Sequence, residues 1–216
     1  MGELVELQQL ESSDGEIFRQ LYAIYAASIS AREQKPEGWL ASMVGAPGYR
    51  FIVVKADGVV RGFSILFIAA AEGFALLEYM AVAPDGRNQG FGARLFQKTV
   101  ARALAPDGRA LPVVLEIDAD REAASDQAMR TRRIGFYRRL GCRRLAGLRY
   151  LMPLPGDGPA PEMDLFLSTP APTSAVPRAE LRRWLATIYQ TVYRCAPDDP
   201  RIEQMLAGLP DPVPLE

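Results

Sequence analysis

Histidine is absent from all 216 residues of this sequence. A Ser-His-Asp triad, a Cys-His pair and any zinc or haem site with histidine ligands are therefore excluded. Acid–base chemistry must instead fall to Asp, Glu, Tyr, Lys, Cys or water. We expect no metal cofactor.

Cysteine is scarce, and long apolar runs are missing. The two cysteines, Cys142 and Cys195, stand far apart and lack the spacing of metal ligands. No apolar run approaches the roughly 18 residues that mark a membrane span, and the start of the chain carries no secretory signal. These features predict a soluble, cytoplasmic protein in a reducing compartment, without a membrane partner.

An excess of positive charge is also missing, because 25 Lys and Arg face 26 Asp and Glu. A general nucleic-acid binder needs surplus basic residues to displace counterions from phosphates, so we expect no nucleic-acid partner. The chain is 49% apolar, which allows one ordinary domain with a real core and an appendage.

Hydrophobic periodicity predicts the order β-α-α-β-β-β-α-β-α-β-β, followed by further helices. This order indicates an α+β sheet domain with a C-terminal helical extension. The predicted strands lie at about 4–7, 51–55, 59–68, 74–82, 112–117, 145–152 and 163–167, and the predicted helices at about 14–29, 39–43, 90–104, 125–140, 178–193 and 200–206.

Three local patterns refine this assignment. Ser13 to Glu16 has the spacing of a capping box before the first helix. An Asp-Gly pair at 57–58 between two apolar runs predicts a hairpin. The helix over 125–140 is expected to end at Gly141 and to turn five apolar side chains inward: Met129, Ile134, Phe136, Tyr137 and Leu140.

The segment APDGRNQGFGAR, residues 83–94, follows a strand and opens a helix. The first N–H groups of a helix have no partners within it and bind anions well. Glycines at 90 and 92 allow close approach, and Arg87 adds a full charge. The segment lacks the P-loop Lys-Ser/Thr and the full dinucleotide fingerprint. It therefore predicts a phosphate-binding turn of another kind, with a purely structural turn as the alternative.

Two motifs resemble those of the GCN5-related N-acetyltransferase (GNAT) superfamily. Arg87-x-x-Gly90-x-Gly92, after YMAVAP, matches motif A, and Phe136-Tyr137-x-x-Leu140-Gly141 matches motif B. The likeness covers residues 3–168. It implies the GNAT fold, in which helices flank a central mixed, mostly antiparallel sheet, and a domain over residues 1–168. Residues 169–216 would then be a helical extension that closes over the site, packs on the sheet or forms a homodimer.

The resemblance implies acetyl-CoA as co-substrate and direct attack by an amine, without a covalent enzyme intermediate. The backbone of residues 87–93 would hold the pyrophosphate, residues 80–82 would pair with the pantetheine, and the amide of Val82 would polarise the thioester carbonyl. The cofactor-binding residues implied in this way are Met80, Ala81, Val82, Arg87, Asn88, Gln89, Gly90, Phe91, Gly92, Ala93 and Phe136.

Tyr137 holds the motif B position that the family uses as general acid, and the alternative is a core aromatic residue. Glu78 is a carboxylate in an apolar strand, on the face of Met80 and Val82 by period-2 alternation, and the alternative is that a bulge next to the site changes this facing. We expect it to act as general base or to bind the amine, and the alternative is a structural ion pair with an arginine. Asp118, Glu116 or a chain of waters are the other candidate bases.

In the family, the first two helices and their connection line the acceptor side. This implies substrate-binding roles for Tyr22, Tyr25 and Glu33, whose carboxylate could neutralise a cationic amine, and the alternative is a solvated turn. The acceptor would be a small-molecule or peptide amine. Two other functions stay open: a binding or sensing module for acyl-CoA without turnover, and transfer of a longer acyl group.

Overall fold

The computed structural model describes residues 4–120, 126–154 and 160–216. The chain divides into two compact units. The first comprises Met1–Ile68 and Ala75–Ala110, and the second comprises Ala69–Phe74 and Leu111–Glu216. Within the described ranges, no helix is long and apolar enough to cross a membrane.

The first unit is built on four neighbouring strands in the order β1-β2-β3-β4. Its elements are β1 (Val5–Leu10), α1 (Glu16–Ser28), α2 (Glu37–Met43), β2 (Tyr49–Ala56), β3 (Val59–Ala69), β4 (Phe74–Val82) and α3 (Phe91–Val100). β2 pairs antiparallel with β1 on one side and with β3 on the other.

Alternation along β2 gives this sheet two packed faces. Phe51 and Val53 pack in one cluster with Leu21 of α1. Ile52 and Val54 pack in a second cluster with Phe91 and Leu95 of α3. Successive side chains of a strand point to opposite faces, so α1 and α3 lie on opposite sides of the sheet.

The predicted hairpin is confirmed at Asp57 and Gly58, which join β2 to β3 with φ angles of 48° and 80°. Positive φ at both central residues is what a type I′ turn requires. The predicted capping box is wrong. Glu16 is the first residue of α1 rather than its third, so Ser13 lies outside the capping position, and Gly15 occupies it without a side-chain hydrogen bond.

The strands of the second unit pair with one another in antiparallel fashion. Its elements are β5 (Val113–Asp118), α4 (Gln127–Arg139), β6 (Arg143–Arg144), β7 (Tyr150–Leu151), β8 (Glu162–Ser168), β9 (Ala175–Val176), α5 (Arg178–Thr187), α6 (Pro200–Leu206) and β10 (Val213–Pro214). β8 pairs with β5, β6 and β7, and β9 pairs with β10. The strand predicted over 145–152 is reduced to Tyr150–Leu151, and Arg143–Arg144 forms a separate short strand.

Helix α4 is amphipathic only toward its C-terminal end. Tyr137 is buried, whereas Met129 in the first turns is 56% exposed, so its predicted inward position is wrong. The turns around Met129 carry arginines and a threonine rather than further apolar residues, so they offer no stripe to bury. Gly141 follows the helix with φ 85°, as a C′ glycine should. The predicted start at Ser125 lies outside the described residues.

The predicted C-terminal extension packs into the second unit. Helix α5 continues into a π-helical turn over Ile188–Val192, and its Leu181, Trp184 and Leu185 are buried. The indole Nε1 of Trp184 donates to the carbonyl oxygen of Glu72 at 3.1 Å, and its ring lies 5.5 Å from that of Phe74. A domain boundary at residues 168/169, and a role for the extension as lid or dimer interface, stay predictions.

Candidate functional site

The loop before α3 has the shape that anion binding needs. A 3-10 turn over Pro84–Gly86 leads to residues 87–90, all of which are exposed. Gly90 caps α3 with φ 81°, a conformation that costs glycine little. The first N–H groups of α3 have no acceptors within the helix, and the exposed Arg87 lies four residues before its first residue.

Contacts within the loop hold it in place. Asp85 accepts from Arg61 at 2.5 Å, and the side-chain amide of Gln89 donates to the carbonyl oxygen of Asp85 at 2.7 Å. Gly86 is buried, and a Cβ there would lie 3.2 Å from the ring of Phe91. The Phe91 side chain is itself in the core, so that residue can offer a ligand only its main chain.

Strand β4 becomes accessible along its second half. Residues 74–77 are buried, whereas residues 78–82 are partly exposed. The side chain of Glu78 is only 2% exposed, so the accessible surface of that residue is main chain. The partly exposed second half of β4 therefore leads from Glu78 to Val82 and on toward the loop.

Glu78 does not share a face with Met80 and Val82, so that prediction is wrong. Met80 and Val82 pack with the cluster on the α3 side, whereas Glu78 contacts Lys35 together with its neighbour Tyr79. Two consecutive strand residues that reach one group break the strict alternation of a regular strand.

Glu78 and Lys35 form a buried ion pair. The ammonium of Lys35 donates to Oε1 of Glu78. The Lys35 side chain is 8% exposed, and the Glu78 side chain is 2% exposed. Burial raises the pKa of the Glu78 carboxyl, and the charge of Lys35 opposes that shift. Among the described residues, no donor reaches Oε2 of Glu78. The partner is thus a lysine, where the alternative prediction expected an arginine.

Three aromatic side chains surround this pair. The Nζ of Lys35 lies 5.3 Å from the ring centroids of both Trp39 and Tyr79. The backbone N–H of Lys35 donates to the hydroxyl of Tyr25 at 2.6 Å, and the hydroxyl of Tyr79 donates to the carbonyl oxygen of Glu33 at 2.7 Å. Burial raises the pKa of the Tyr25 phenol.

The predicted substrate-binding residues contact the aromatic side chains around the Lys35–Glu78 pair or belong to them. Tyr22 is half-buried, and its ring stacks 6.0 Å from that of Tyr25. Glu33 contributes its carbonyl oxygen to the cluster. Sequence reasoning missed Lys35 and Trp39. Lys35 could have been considered from the sequence, because a carboxylate in an apolar strand needs a cationic partner. Lys35 lies in the charge-dense segment between the first two helices.

In the second unit, Tyr137 is buried on α4, with its ring 5.0 Å from the edge-on ring of Phe136. Burial is the main cause that raises the pKa of the Tyr137 phenol, against the opposing charge of Arg133. A phenol with a raised pKa stays protonated at neutral pH, which is the form that a general acid needs.

The two other candidate carboxylates on β5 are both engaged. Asp118 is paired with Arg133. Glu116 accepts a hydrogen bond at Oε2 from the hydroxyl of Tyr193, at 2.7 Å. Next to it, burial and then the charge of Glu116 raise the pKa of the Tyr150 phenol. Tyr193 was missed because it belongs to no motif and lies 77 positions from its partner.

Comparison with known proteins identifies the motifs. Residues 47–143 match the family model of the acetyltransferase (GNAT) domain. A search of curated proteins found no match.

Three solved structures illustrate the shared fold. A putative acetyltransferase of the GNAT family from Bacteroides thetaiotaomicron is 21% identical, with 88% of this chain and 99% of that chain covered and a TM-score of 0.69. The ribosomal-protein-S18-alanine N-acetyltransferase from Escherichia coli is 21% identical, with 76% and 92% covered and a TM-score of 0.53. A putative acetyltransferase from Salmonella typhimurium, solved with its cofactor acetyl-CoA, is 14% identical, with 80% and 97% covered and a TM-score of 0.57.

The predicted α+β fold is confirmed by these structures, and the predicted family is confirmed by the domain match together with them. The loop before α3 and the Phe-Tyr pair on α4 are the residues that carried the resemblance in the sequence. Residues 47–143 of this chain match the GCN5-related N-acetyltransferase (GNAT) domain.

Proposed function

We propose that this protein transfers the acetyl group of acetyl-CoA to a primary amine of a small molecule or peptide. The observation that carries the proposal is the exposed glycine loop that opens α3 and follows the partly exposed second half of β4. A related fold from Salmonella typhimurium was solved with acetyl-CoA, which supports the same co-substrate here.

The first unit supplies the groups for holding CoA. The main-chain N–H groups from Arg87 to Ala93 would bind the pyrophosphate, with the Arg87 guanidinium as a further positive charge. The main chain of Met80 and Ala81 would pair with the pantetheine amides as an added strand does. The N–H of Val82 would donate to the thioester carbonyl as negative charge develops on it.

The reaction needs one proton removed from the amine and one given to the departing thiolate. Tyr137 is the proposed acid, since burial keeps its phenol protonated. Glu78 is the proposed site for the amine. Its Oε1 is engaged by Lys35, and its Oε2 is the atom left to accept a proton or a hydrogen bond.

Glu116 is the second candidate for the base. Its hydrogen bond from Tyr193 holds one carboxylate oxygen, which fixes the orientation of the other. Steady-state kinetics of the variants Glu78→Gln and Glu116→Gln distinguish the two candidate bases. We expect loss of the base to lower kcat by about 10²- to 10⁴-fold, whereas loss of an amine-binding carboxylate mainly raises KM for the acceptor.

One observation favours the alternative of a binding module without turnover. The charge of Glu78 is already neutralised by Lys35, which weakens it as a base. A module of this kind would bind acetyl-CoA and show no thiol release with any amine. Transfer of a longer acyl group is a further alternative, and a series of acyl-CoA thioesters tests it directly.

The first test is thermal unfolding with acetyl-CoA, CoA, ATP or NADH. A ligand at 100 times its dissociation constant should raise Tm by about 5–10 °C in a chain of this size. We expect this shift with both CoA species and none with ATP or NADH, followed by a screen of amines for thiol release. No shift with either CoA species would overturn the proposal, because the loop would then be structural.

A further inference from the structure

The groups around the Lys35 ammonium have the chemistry of a site for cations. Two ring faces, of Trp39 and Tyr79, lie 5.3 Å from Nζ at their centroids, and a buried carboxylate accepts from it. Aromatic faces attract ammonium groups through their quadrupole, and a carboxylate adds a charge-assisted hydrogen bond. We call this set the ammonium box: Trp39, Tyr79, Glu78 and Tyr25, whose hydroxyl closes it from the α1 side.

The backbone that carries Lys35 is anchored, whereas its side chain has four rotatable bonds. The connection before α2 is anchored by Gln34, whose amide donates to the carbonyl oxygens of Ala26 and Ile29 at 3.0 and 2.7 Å. The backbone N–H of Lys35 is anchored to Tyr25. Only the four-carbon side chain of Lys35 enters the box, so it can leave by rotation about its own bonds while the connection stays in place.

One of the two carboxylate oxygens of Glu78 lacks a hydrogen-bond donor. Oε2 of Glu78 is buried and, within the described ranges, meets no donor. An unsatisfied buried oxygen is costly, so this atom marks a place where a further donor would bind. A primary ammonium carries three N–H donors, of which Lys35 gives one to Oε1.

We propose that the ammonium box is a binding site for a primary ammonium group on an unbranched alkyl chain, and that Lys35 is its internal occupant in this structure. The acceptor amine would enter as the cation, displace the Lys35 side chain and reach Glu78. The acceptor class is therefore a cationic alkylamine, since a carboxylate-bearing end would be repelled by Glu78 and gain nothing from the ring faces. The role as acceptor site rests on the proposed acetyl transfer, whereas ammonium binding by the box does not.

The test removes the Lys35 side chain from the ammonium box and adds a free alkylammonium ion in solution. Lys35→Ala empties the box and keeps the backbone hydrogen bond to Tyr25. Thermal unfolding is then measured with butylammonium chloride, with 1-butanol as the neutral analogue, and with sodium chloride at equal ionic strength. We expect butylammonium at ten times its dissociation constant to raise Tm of Lys35→Ala by about 3–6 °C relative to sodium chloride.

Three controls define that result. The unsubstituted protein should show a smaller shift, because its tethered lysine competes with butylammonium at a high effective concentration. Lys35→Met should show none, because the methionine side chain fills the same space without charge. Adding Trp39→Leu to Lys35→Ala should abolish the response, because one ring face is lost.

A folded Lys35→Ala protein that responds equally to butylammonium and 1-butanol, or to neither, would overturn the proposal and leave Lys35 as part of a structural ion pair. If Lys35→Ala does not fold alone, it is refolded from urea with each additive. Recovery with butylammonium only supports the box, and recovery with both or with neither overturns it. The acetyl-CoA shift of the unsubstituted protein is a separate measurement, so failure of acetyl transfer and failure of the box are distinguishable.

Discussion

Removing one partner of the buried pair between Lys35 and Glu78 should destabilise the protein strongly and in a pH-dependent way. Lys35→Met keeps the length of the side chain and removes its charge, so the carboxylate of Glu78 is left buried and uncompensated. Both side chains are almost entirely out of water, at 8% and 2% exposure. Removing one partner of such a pair costs about 3–5 kcal/mol. At about 2–4 °C per kcal/mol in a chain of this length, Tm should fall by about 6–20 °C.

The assay is urea unfolding, followed by circular dichroism at several pH values. Lys55→Met is the matched control, because Lys55 pairs with Glu6 at 2.8 Å but that carboxylate is 51% exposed. A half-exposed pair is screened by solvent, so the control should lose less than about 1 kcal/mol. A double variant, Lys35→Met with Glu78→Gln, should recover most of the loss since no buried charge remains.

The pH dependence has a definite sign. Burial raises the pKa of Glu78 in the folded protein, and loss of Lys35 removes the charge that opposes this shift. The folded variant then binds the proton more tightly than the unfolded chain does. Its stability is therefore greatest below the unfolded pKa of about 4.3 and declines as pH rises toward the folded value. A loss below about 1 kcal/mol at pH 7, with no dependence on pH, would refute the buried pair.

Three further substitutions test the rest of the site. Tyr137→Phe should lower kcat by about 10²-fold or more with the acetyl-CoA shift in Tm unchanged, as measured by thiol release and thermal unfolding. Tyr193→Phe should cost about 1.5–3 kcal/mol in urea unfolding, because it removes a hydrogen bond to a carboxylate, and it should move the pH–rate profile if Glu116 is the base. Gly90→Ala should cost about 1–2 kcal/mol, because alanine must adopt φ 81°, and it should weaken acetyl-CoA binding.

Each of these has an outcome that contradicts it. Unchanged kcat in Tyr137→Phe would make Tyr137 a core aromatic residue. A Tyr193→Phe protein with unchanged stability would mean that the bond to Glu116 contributes nothing. For Gly90→Ala, nothing lies within 4 Å of the added Cβ, so backbone strain is the whole expected effect. Full stability together with full acetyl-CoA affinity would show that the loop does not need the left-handed conformation.

Local patterns predicted much of the fold. The Asp57-Gly58 hairpin, the strand Phe74–Val82 and the helix Pro200–Leu206 lie where periodicity and turn residues placed them. These elements are specified by neighbours in sequence: glycine and asparagine or aspartate in a tight turn, alternation in a strand, proline in the first turn of a helix. The capping box failed because the same four residues also permit a later helix start, and Gly15 provides it.

The candidate site was predictable only in part. The glycine loop and the Phe136-Tyr137 pair stand in contiguous motifs, so they could be found in the sequence. Lys35 could not be assigned to Glu78, because 43 positions separate them and the strand departs from alternation at the contact. The facing of Glu78 was wrong for the same reason, since a local irregularity in a strand leaves no mark in residue spacing.

The sequence by itself determined the chemistry that is available and the ligand that the loop suits. Without histidine, proton transfer must use carboxylates, phenols, amines, thiols or water, and a glycine loop at a helix start favours an anion as ligand. Only the tertiary structure decided which carboxylate has a charged or hydrogen-bonding partner, and which residue is that partner. The pair of Lys35 with Glu78 and the bond from Tyr193 to Glu116 join distant segments. Such contacts depend on how elements pack and how deeply they are buried, and burial is what sets the charge and proton affinity of each group.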